Sequence, residues 1–450
     1  MKNSFWVILI LGIILRIFLA AFSFHPDVTA FQLGGQIMAS GNILNFYDYL
    51  SQFPPQSDII RKYTAELFIY PPAIYWFHGI FNFLFARILG LTVLNDFVIV
   101  TQSIFGNPLF NWHLLLLKIP YIIFDIPIAF LLGRFFISPR ARFAAFTLWM
   151  FNPVNLYTTY LMGQFDVIPT FFVVASLVLA RGRKLFWAAL VLGGGIAFKL
   201  YPLYLLIPLA ILGKKPVKQL KLAALGVIPY LISILPYLTS RGFRSSALVA
   251  GQTLKSLYAQ IPVSGGESIF LFPLFLASFY LILFILSENA PQSTAGMSAR
   301  KNSSLKGYSA ACSGEGFISK EGEEDLWKHF FIVLLLFFAF THYHPQWFLW
   351  LTPFLIIELV SFGFRNLILA ILSLFSFVGL LFFFDPSLTI GIFAPLVPSF
   401  YSLPSIWEIL HLNPDYNLWR SILQTLFVAA AIVYVYLYFP KRIQALNDSH

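Results

Sequence analysis

The chain is dominated by recurring apolar runs, nearly free of charge, each close to the roughly 20 residues that a helix needs to cross a hydrocarbon layer about 30 Å thick. Such runs fall near residues 5–23, 113–133, 143–160, 165–180, 185–198, 200–212, 220–238, 269–286, 329–344, 347–362, 366–384 and 419–439. Some are short, which a bundle tolerates where neighbouring helices bury their ends. Of the 450 residues 59% are hydrophobic and 11% charged, against about 25% charged in soluble proteins. Too few charges remain to coat a water-facing surface, which excludes a soluble enzyme, a disordered chain and a disulfide-built secreted module. The single cysteine, Cys312, has no internal partner. Met1-Lys2-Asn3 is weakly basic and the stretch after Phe22 is poor in small residues, so the first run is expected to stay as a helix and not to be cleaved. The expected fold is an all-α polytopic membrane protein of about 12 spans, one integral domain over residues 1–450.

Charge sets the orientation. A further apolar segment, Tyr70 to Leu89, would invert every later loop if it crossed fully. If it dips into one interface and returns, Arg134, Arg140 and Arg142 fall on one side. Arg181, Arg183, Lys184, Lys214, Lys215, Lys218, Lys221, Lys441 and Arg442 join them there. Lys and Arg of short loops favour the cytoplasm, so both termini are expected inside and the net charge of +10 follows from topology, with no nucleic-acid partner. The long outer loops are then 24–112, 239–268 and 385–418. The inner loop 287–328, rich in Ser, Gly, Lys and Glu, reads as flexible. Gly193-Gly194-Gly195 ahead of Lys199 and Pro202 marks two short helices that go up and come back.

The unusual polar residues collect on the outer side. His25-Pro26-Asp27 follows the first span, and Val28, Phe31, Ile37 and Met38 recur at helical spacing up to Gly41, which predicts a short amphipathic helix along the membrane. Asp27 then has two readings, a cap of that helix or a carboxylate held at the membrane lip as a general base. Lys118 opens the second span and Asp125 lies two turns below it, about 10 Å away, so each needs another partner. Arg16, in mid-span, is the natural mate of Asp125. Asn152-Pro153 interrupts the third span, and Gly163-Gln164-Phe165-Asp166 makes the outer turn into the fourth. Lys199, between two apolar helices, must snorkel to water or meet an anion. His342-Tyr343-His344-Pro345-Gln346-Trp347 forms another outer turn, whose histidines suit a phosphate or hydroxyl contact as well as a metal. A transporter is expected to keep its ionisable residues near the midplane. Residues gathered at the lip suit an enzyme acting on a lipid-anchored substrate, its apolar chain between helices and its phosphate at the cations.

This order of motifs resembles the GT-C superfamily of multi-span glycosyltransferases. The features are His25-Pro26-Asp27 opening a long first loop, Gly41, Tyr47, Tyr70-Pro71-Pro72, the Lys118 to Asp125 helix, Asn152-Pro153, Gly163-Gln164-Phe165-Asp166, Lys199-Leu200-Tyr201-Pro202 and His344-Pro345-Gln346-Trp347 with Trp350 and Pro353. They look most like those of polyprenyl-phosphate-mannose-dependent mannosyltransferases, over roughly residues 5–360. The resemblance implies inverting transfer of one sugar, mannose in the nearest relatives, from a polyprenyl-phosphate donor to a lipid-linked or glycan acceptor. It places the reaction on the extracytoplasmic face of the cell membrane, without nucleotide sugar, metal or other cofactor. It implies Asp27 as general base, Lys118, Lys199, His342 and His344 at the donor phosphate, and Asp166, Gln164, Gln346 and Tyr70 at the substrate. A single acid stands at the first-loop position, not an Asp-x-Asp pair, which argues against a metal-dependent mechanism. The alternatives are a flippase or transporter of a lipid-linked substrate, and a nonenzymatic scaffold.

Overall fold

Asparagines, aspartates and prolines punctuate the apolar sequence, and the helices begin where they stand. The computed structural model describes residues 2–64, 66–89, 104–248, 254–288, 325–341 and 344–440. Most of the 287–328 loop, part of the first outer loop and His342 lie outside the described residues. Helix α1 (Lys2–Ala21) leads through a short loop to α2 (Asp27–Ala39), and α3 (Pro72–Leu89) packs along α2. Asn107 accepts a bond from the Leu109 amide, and Pro108 takes the first position of α4 (Pro108–Lys118), where a missing N–H costs nothing. A tight turn joins α4 to α5 (Ile122–Gly133), and α6 (Pro139–Met150) returns.

At Asn152-Pro153 the helical path restarts: the Asn152 side chain accepts from the Asn155 amide, and a wide turn over Leu156–Leu161 leads to α7 (Val167–Arg181). Then come α8 (Leu185–Phe198), α9 (Pro202–Ile211), α10 (Pro216–Ile234), α11 (Leu271–Glu288), α12 (Leu326–Phe340), α13 (Thr352–Ser361), α14 (Leu367–Leu381) and α15 (Tyr416–Tyr438). The strands among the described residues form one small antiparallel hairpin, β1 (Gln260–Pro262) with β2 (Ser268–Phe270), Ile261 opposite Ile269.

Among the described residues four helical stretches are long and apolar enough to cross a membrane, Asn3–Ala21, Pro108–Gly133, Pro216–Tyr237 and Tyr416–Tyr438, and shorter apolar helices accompany them. The architecture is that of an all-α membrane protein. The expected break after the glycine triplet is present, α8 ending at Phe198 and α9 beginning at Pro202. Glycine is needed there for approach: a Cβ on Gly193 would lie 2.4 Å from the Gly226 carbonyl oxygen of α10.

Helix α2 departs from its expected form. Its apolar residues are buried, but so are Thr29, Gln32, Gly34 and Gly35, so it is enclosed on nearly every side. Its small and amide residues serve as packing surface too, and the helix packs closely against α3.

The deepest polar feature fixes α1 to its neighbours. Arg16 Nε lies 2.5 Å from Asp125 Oδ2, and both side chains are fully buried. Asp125 also accepts from Trp149 Nε1 at 2.7 Å, Asn155 Nδ2 at 2.7 Å and Tyr160 Oη at 2.6 Å. Arg16 donates to the Gly12 and Met150 carbonyls. One carboxylate thus joins α1, α5, α6 and the 155–160 turn. Removing one partner of a buried pair strands the other charge at a cost of about 3–5 kcal/mol, whereas losing an exposed cap costs about 1 kcal/mol. Asp125→Ala should therefore abolish or strongly lower the melting transition of purified protein. Asp415→Ala, which removes the acceptor for the Asn417 and Leu418 amides at the exposed start of α15, should shift it only slightly. Equal shifts would refute the assignment.

Candidate active site

The site grows from the end of α1. Lys118, fully buried at the end of α4, donates to the Ser23 carbonyl at 2.6 Å, to Ser23 Oγ at 2.9 Å and to the Leu161 carbonyl at 3.3 Å. Ser23 Oγ in turn reaches the Tyr160 and Leu161 carbonyls. An ammonium has three protons, and all three are used, so Lys118 staples the chain leaving α1 to the turn that precedes α7. Gly163 completes the junction with φ of +71°; a Cβ there would lie 2.7 Å from Val28 Cγ2 and 3.1 Å from Lys118 Cε.

Across that junction Gln164 Nε2 donates to Asp27 Oδ2 at 2.7 Å. Asp27 is the first residue of α2; the capping position belongs to Pro26 and no side chain caps it. The Asp27 carboxylate, half exposed at 50%, is therefore not spent on the helix terminus. His25 Nδ1 lies 3.3 Å from the Asp27 amide and 3.7 Å from its Oδ2. Burial holds the His25 imidazole below its ordinary pKa, against the opposing pull of Asp27, which leaves it neutral and able to accept from that amide.

These groups face a cavity of about 340 Å³ whose polar lining includes His25, Asp27, Tyr70, His344 and Gln346. Phe31, Phe68, Tyr75, Met162 and Leu388 give it apolar walls. Tyr70 is held by the Tyr47 hydroxyl, which donates to its carbonyl at 2.6 Å. Leu388 arrives from the third long loop, whose Leu388 carbonyl accepts from the Tyr157 hydroxyl and whose Ile392 carbonyl accepts from the Phe24 amide.

Behind the Tyr70 ring sits Lys199. Its Nζ donates to Asp166 Oδ1 at 2.7 Å, and the rings of Tyr70, Phe165, Trp347 and Trp350 surround it at 5.1–5.7 Å. Trp350 Nε1 donates to the same Asp166 oxygen at 2.6 Å, and the Trp350 ring stacks on Tyr201 at 4.0 Å. Asp166 Oδ2 and Gln164 Oε1 are buried without a hydrogen-bond partner among the described residues. At the other side His344 Nε2 lies 2.8 Å from Lys255 Nζ, which also sits over Trp347. Partial burial lowers the Lys255 pKa from its usual value.

Of the residues expected from sequence, Asp27, Tyr70, His344 and Gln346 line one cavity, Gln164 holds Asp27, and Lys199 with Asp166 stands just behind Tyr70. Lys118 has a different environment from the one expected: its protons go to Ser23 and Leu161, and none is left for a phosphate. His342 lies outside the described residues. Sequence reasoning passed over His25 as a lining residue, Lys255 beside His344, and the approach of Leu388, since each depends on loops distant in sequence meeting in space.

The described residues make an all-α membrane protein with a half-exposed carboxylate and nearby cations around one cavity. Residues 158–250 match the family model described as Mannosyltransferase (PIG-M), a GT-C-like membrane mannosyltransferase family. That segment carries Gln164, Asp166 and Lys199, and leaves out Asp27, Tyr70, His344 and Gln346. No curated protein and no solved structure matches the chain. The match supports a glycosyltransferase in a membrane.

The carboxylates differ sharply in access. A water-soluble carbodiimide with an amine should label Asp27 and the exposed control Asp58, and leave the fully buried Asp125 and Asp166 unlabelled, as read by peptide mass spectrometry. Labelling of Asp166 in folded protein would contradict the arrangement.

Proposed function

We propose that the protein is an inverting mannosyltransferase that moves one mannosyl unit from a polyprenyl-phosphate donor to a hydroxyl of a lipid-linked or glycan acceptor. It works on the extracytoplasmic face, in a bundle of about 12 spans with both termini cytoplasmic. The observation that carries the reading is the Asp27 carboxylate, free of capping duty, oriented by Gln164 and open to a cavity that His344 and Gln346 also line.

In this reading the acceptor oxygen attacks the anomeric carbon while the bond from that carbon to the phosphate oxygen breaks. Asp27 takes the hydroxyl proton as the new bond forms, since the hydroxyl becomes acidic only in the oxocarbenium-like transition state. Polyprenyl phosphate leaves with the electron pair, and the proton passes from Asp27 to water through its exposed side. Charge developing on the leaving phosphate is met by Lys199 and by the His344–Lys255 pair; preorganised donors in a site poor in water act strongly on such charge. Asp166 holds Lys199 in position and Gln164 orients Asp27, while Gln346 and Tyr70, which line the cavity, take sugar hydroxyls. Lys118 is a positioning residue that fixes the His25–Asp27 loop against the Gln164 turn. The donor's chain lies along the apolar helices, and His25 stays neutral so as not to neutralise the base.

General-base removal typically costs about 10²–10⁴ in rate. Asp27→Asn, assayed in lipid with a polyprenyl-phosphate-mannose donor and a membrane glycolipid acceptor, should lose transfer by that order with an unchanged melting temperature. Full transfer in the variant would overturn Asp27 as base. Movement of labelled lipid across the vesicle without transfer, in wild type and variant alike, would overturn the enzyme and favour the flippase.

A further inference from the structure

A second cavity lies at the far end of α1, α5 and α6. Helix α1 has 20 residues, so its two ends stand about 30 Å apart, the thickness of the hydrocarbon layer. One end leads to Asp27; the other carries a groove of about 600 Å³. Its wall is aromatic: Phe5 lies 4.5 Å from Phe146 and 5.6 Å from Phe130, and Phe130 lies 5.3 Å from Phe146, centroid to centroid. Arg134 and Arg142 form the charged part of the lining.

Neither arginine makes an ion pair among the described residues, and residues 126–165 contain no Asp or Glu. The N-terminal 26 residues, which supply the third wall, contain none either. Arg142 spends Nε on the Phe136 carbonyl at 2.8 Å, which fixes the guanidinium plane. Nearby Arg181 donates to the Phe135 carbonyl and lies over the Phe135 ring, which adds positive charge beside the turn, while Glu358 of α13, the helix packed against α6, is bonded by Asn366 and Tyr438. An apolar trough one membrane thickness from the first site, with two guanidiniums that make no ion pair among the described residues, matches a molecule with a hydrocarbon chain and a phosphodiester. Guanidinium binds phosphate in a fork, and basic residues beside a membrane attract anionic lipid.

We propose that the groove between α1, α5 and α6 binds an anionic phospholipid, its phosphate on Arg134 and Arg142 and an acyl chain along Phe5, Phe130 and Phe146. On the orientation proposed above, this lipid belongs to the cytoplasmic leaflet. The site is independent of the catalytic reading and stands if that reading fails.

The test is native mass spectrometry of the full chain with dioleoyl phosphatidylglycerol, dioleoyl phosphatidylcholine, or glycerol phosphate as the headgroup alone. Wild type should retain phosphatidylglycerol roughly tenfold over phosphatidylcholine, as two basic residues near a membrane allow, and bind no glycerol phosphate. Arg134→Gln combined with Arg142→Gln should erase the preference while the melt in phosphatidylcholine stays unchanged. Equal retention of both lipids by wild type, or a preference that survives in the folded double variant, would overturn the site. Tight binding of glycerol phosphate would overturn a lipid in favour of a soluble anion. If the double variant does not fold, a photoreactive phosphatidylglycerol on wild type decides the matter. Crosslinks at Phe5, Phe130, Phe143 or Phe146 support the groove, and crosslinks confined elsewhere refute it.

Discussion

Two buried cations hold the end of α1, and the candidate site depends on both. Arg16 ties mid-helix to Asp125, and through it to Trp149, Asn155 and Tyr160. Lys118 ties the chain just beyond the helix to Leu161. In an apolar interior neither charge can stand alone without a large penalty, so each arrangement has few ways to rearrange. The result is a rigid corner in which the residues 23–27 and 161–166 meet. Asp27 and Gln164 come together at that corner.

The same economy explains why the cations around the cavity differ in their reach. Lys118 is saturated by protein oxygens. Lys199 spends one proton on Asp166 and turns the rest of its charge toward four rings, an environment that retains an ammonium by cation–π attraction and leaves it able to meet an anion. Lys255, less buried, adjoins the cavity through His344. The polarity of the cavity thus runs from a carboxylate on one wall to cations behind the others.

Part of this was legible in the sequence. The apolar runs and the breaks at Asn152-Pro153 and Lys199–Pro202 follow from hydropathy and helix chemistry, and so does the need of Arg16 for Asp125, since a mid-span charge demands a counterion. The partners of Lys118 were not legible, because they are chiefly backbone carbonyls, which any sequence supplies. The pairing of Lys199 with Asp166 escaped for another reason: both were placed at one membrane face, but nothing in their spacing distinguishes a carboxylate partner from a phosphate. Helix α2 follows from its apolar period, yet Gln32, Gly34 and Gly35, which lie outside that period, are buried as well. The wall contributed by Leu388 and the approach of Lys255 to His344 come from loops whose course hydropathy does not determine.

The central claim is a single displacement at the anomeric carbon in the Asp27 cavity. The most direct measurement is the anomeric configuration of the product, read by NMR after transfer from a polyprenyl-phosphate-mannose donor of defined configuration. The account predicts inversion. A product that retains the donor's configuration would contradict it, because retention requires a second displacement and a nucleophile that this arrangement does not assign.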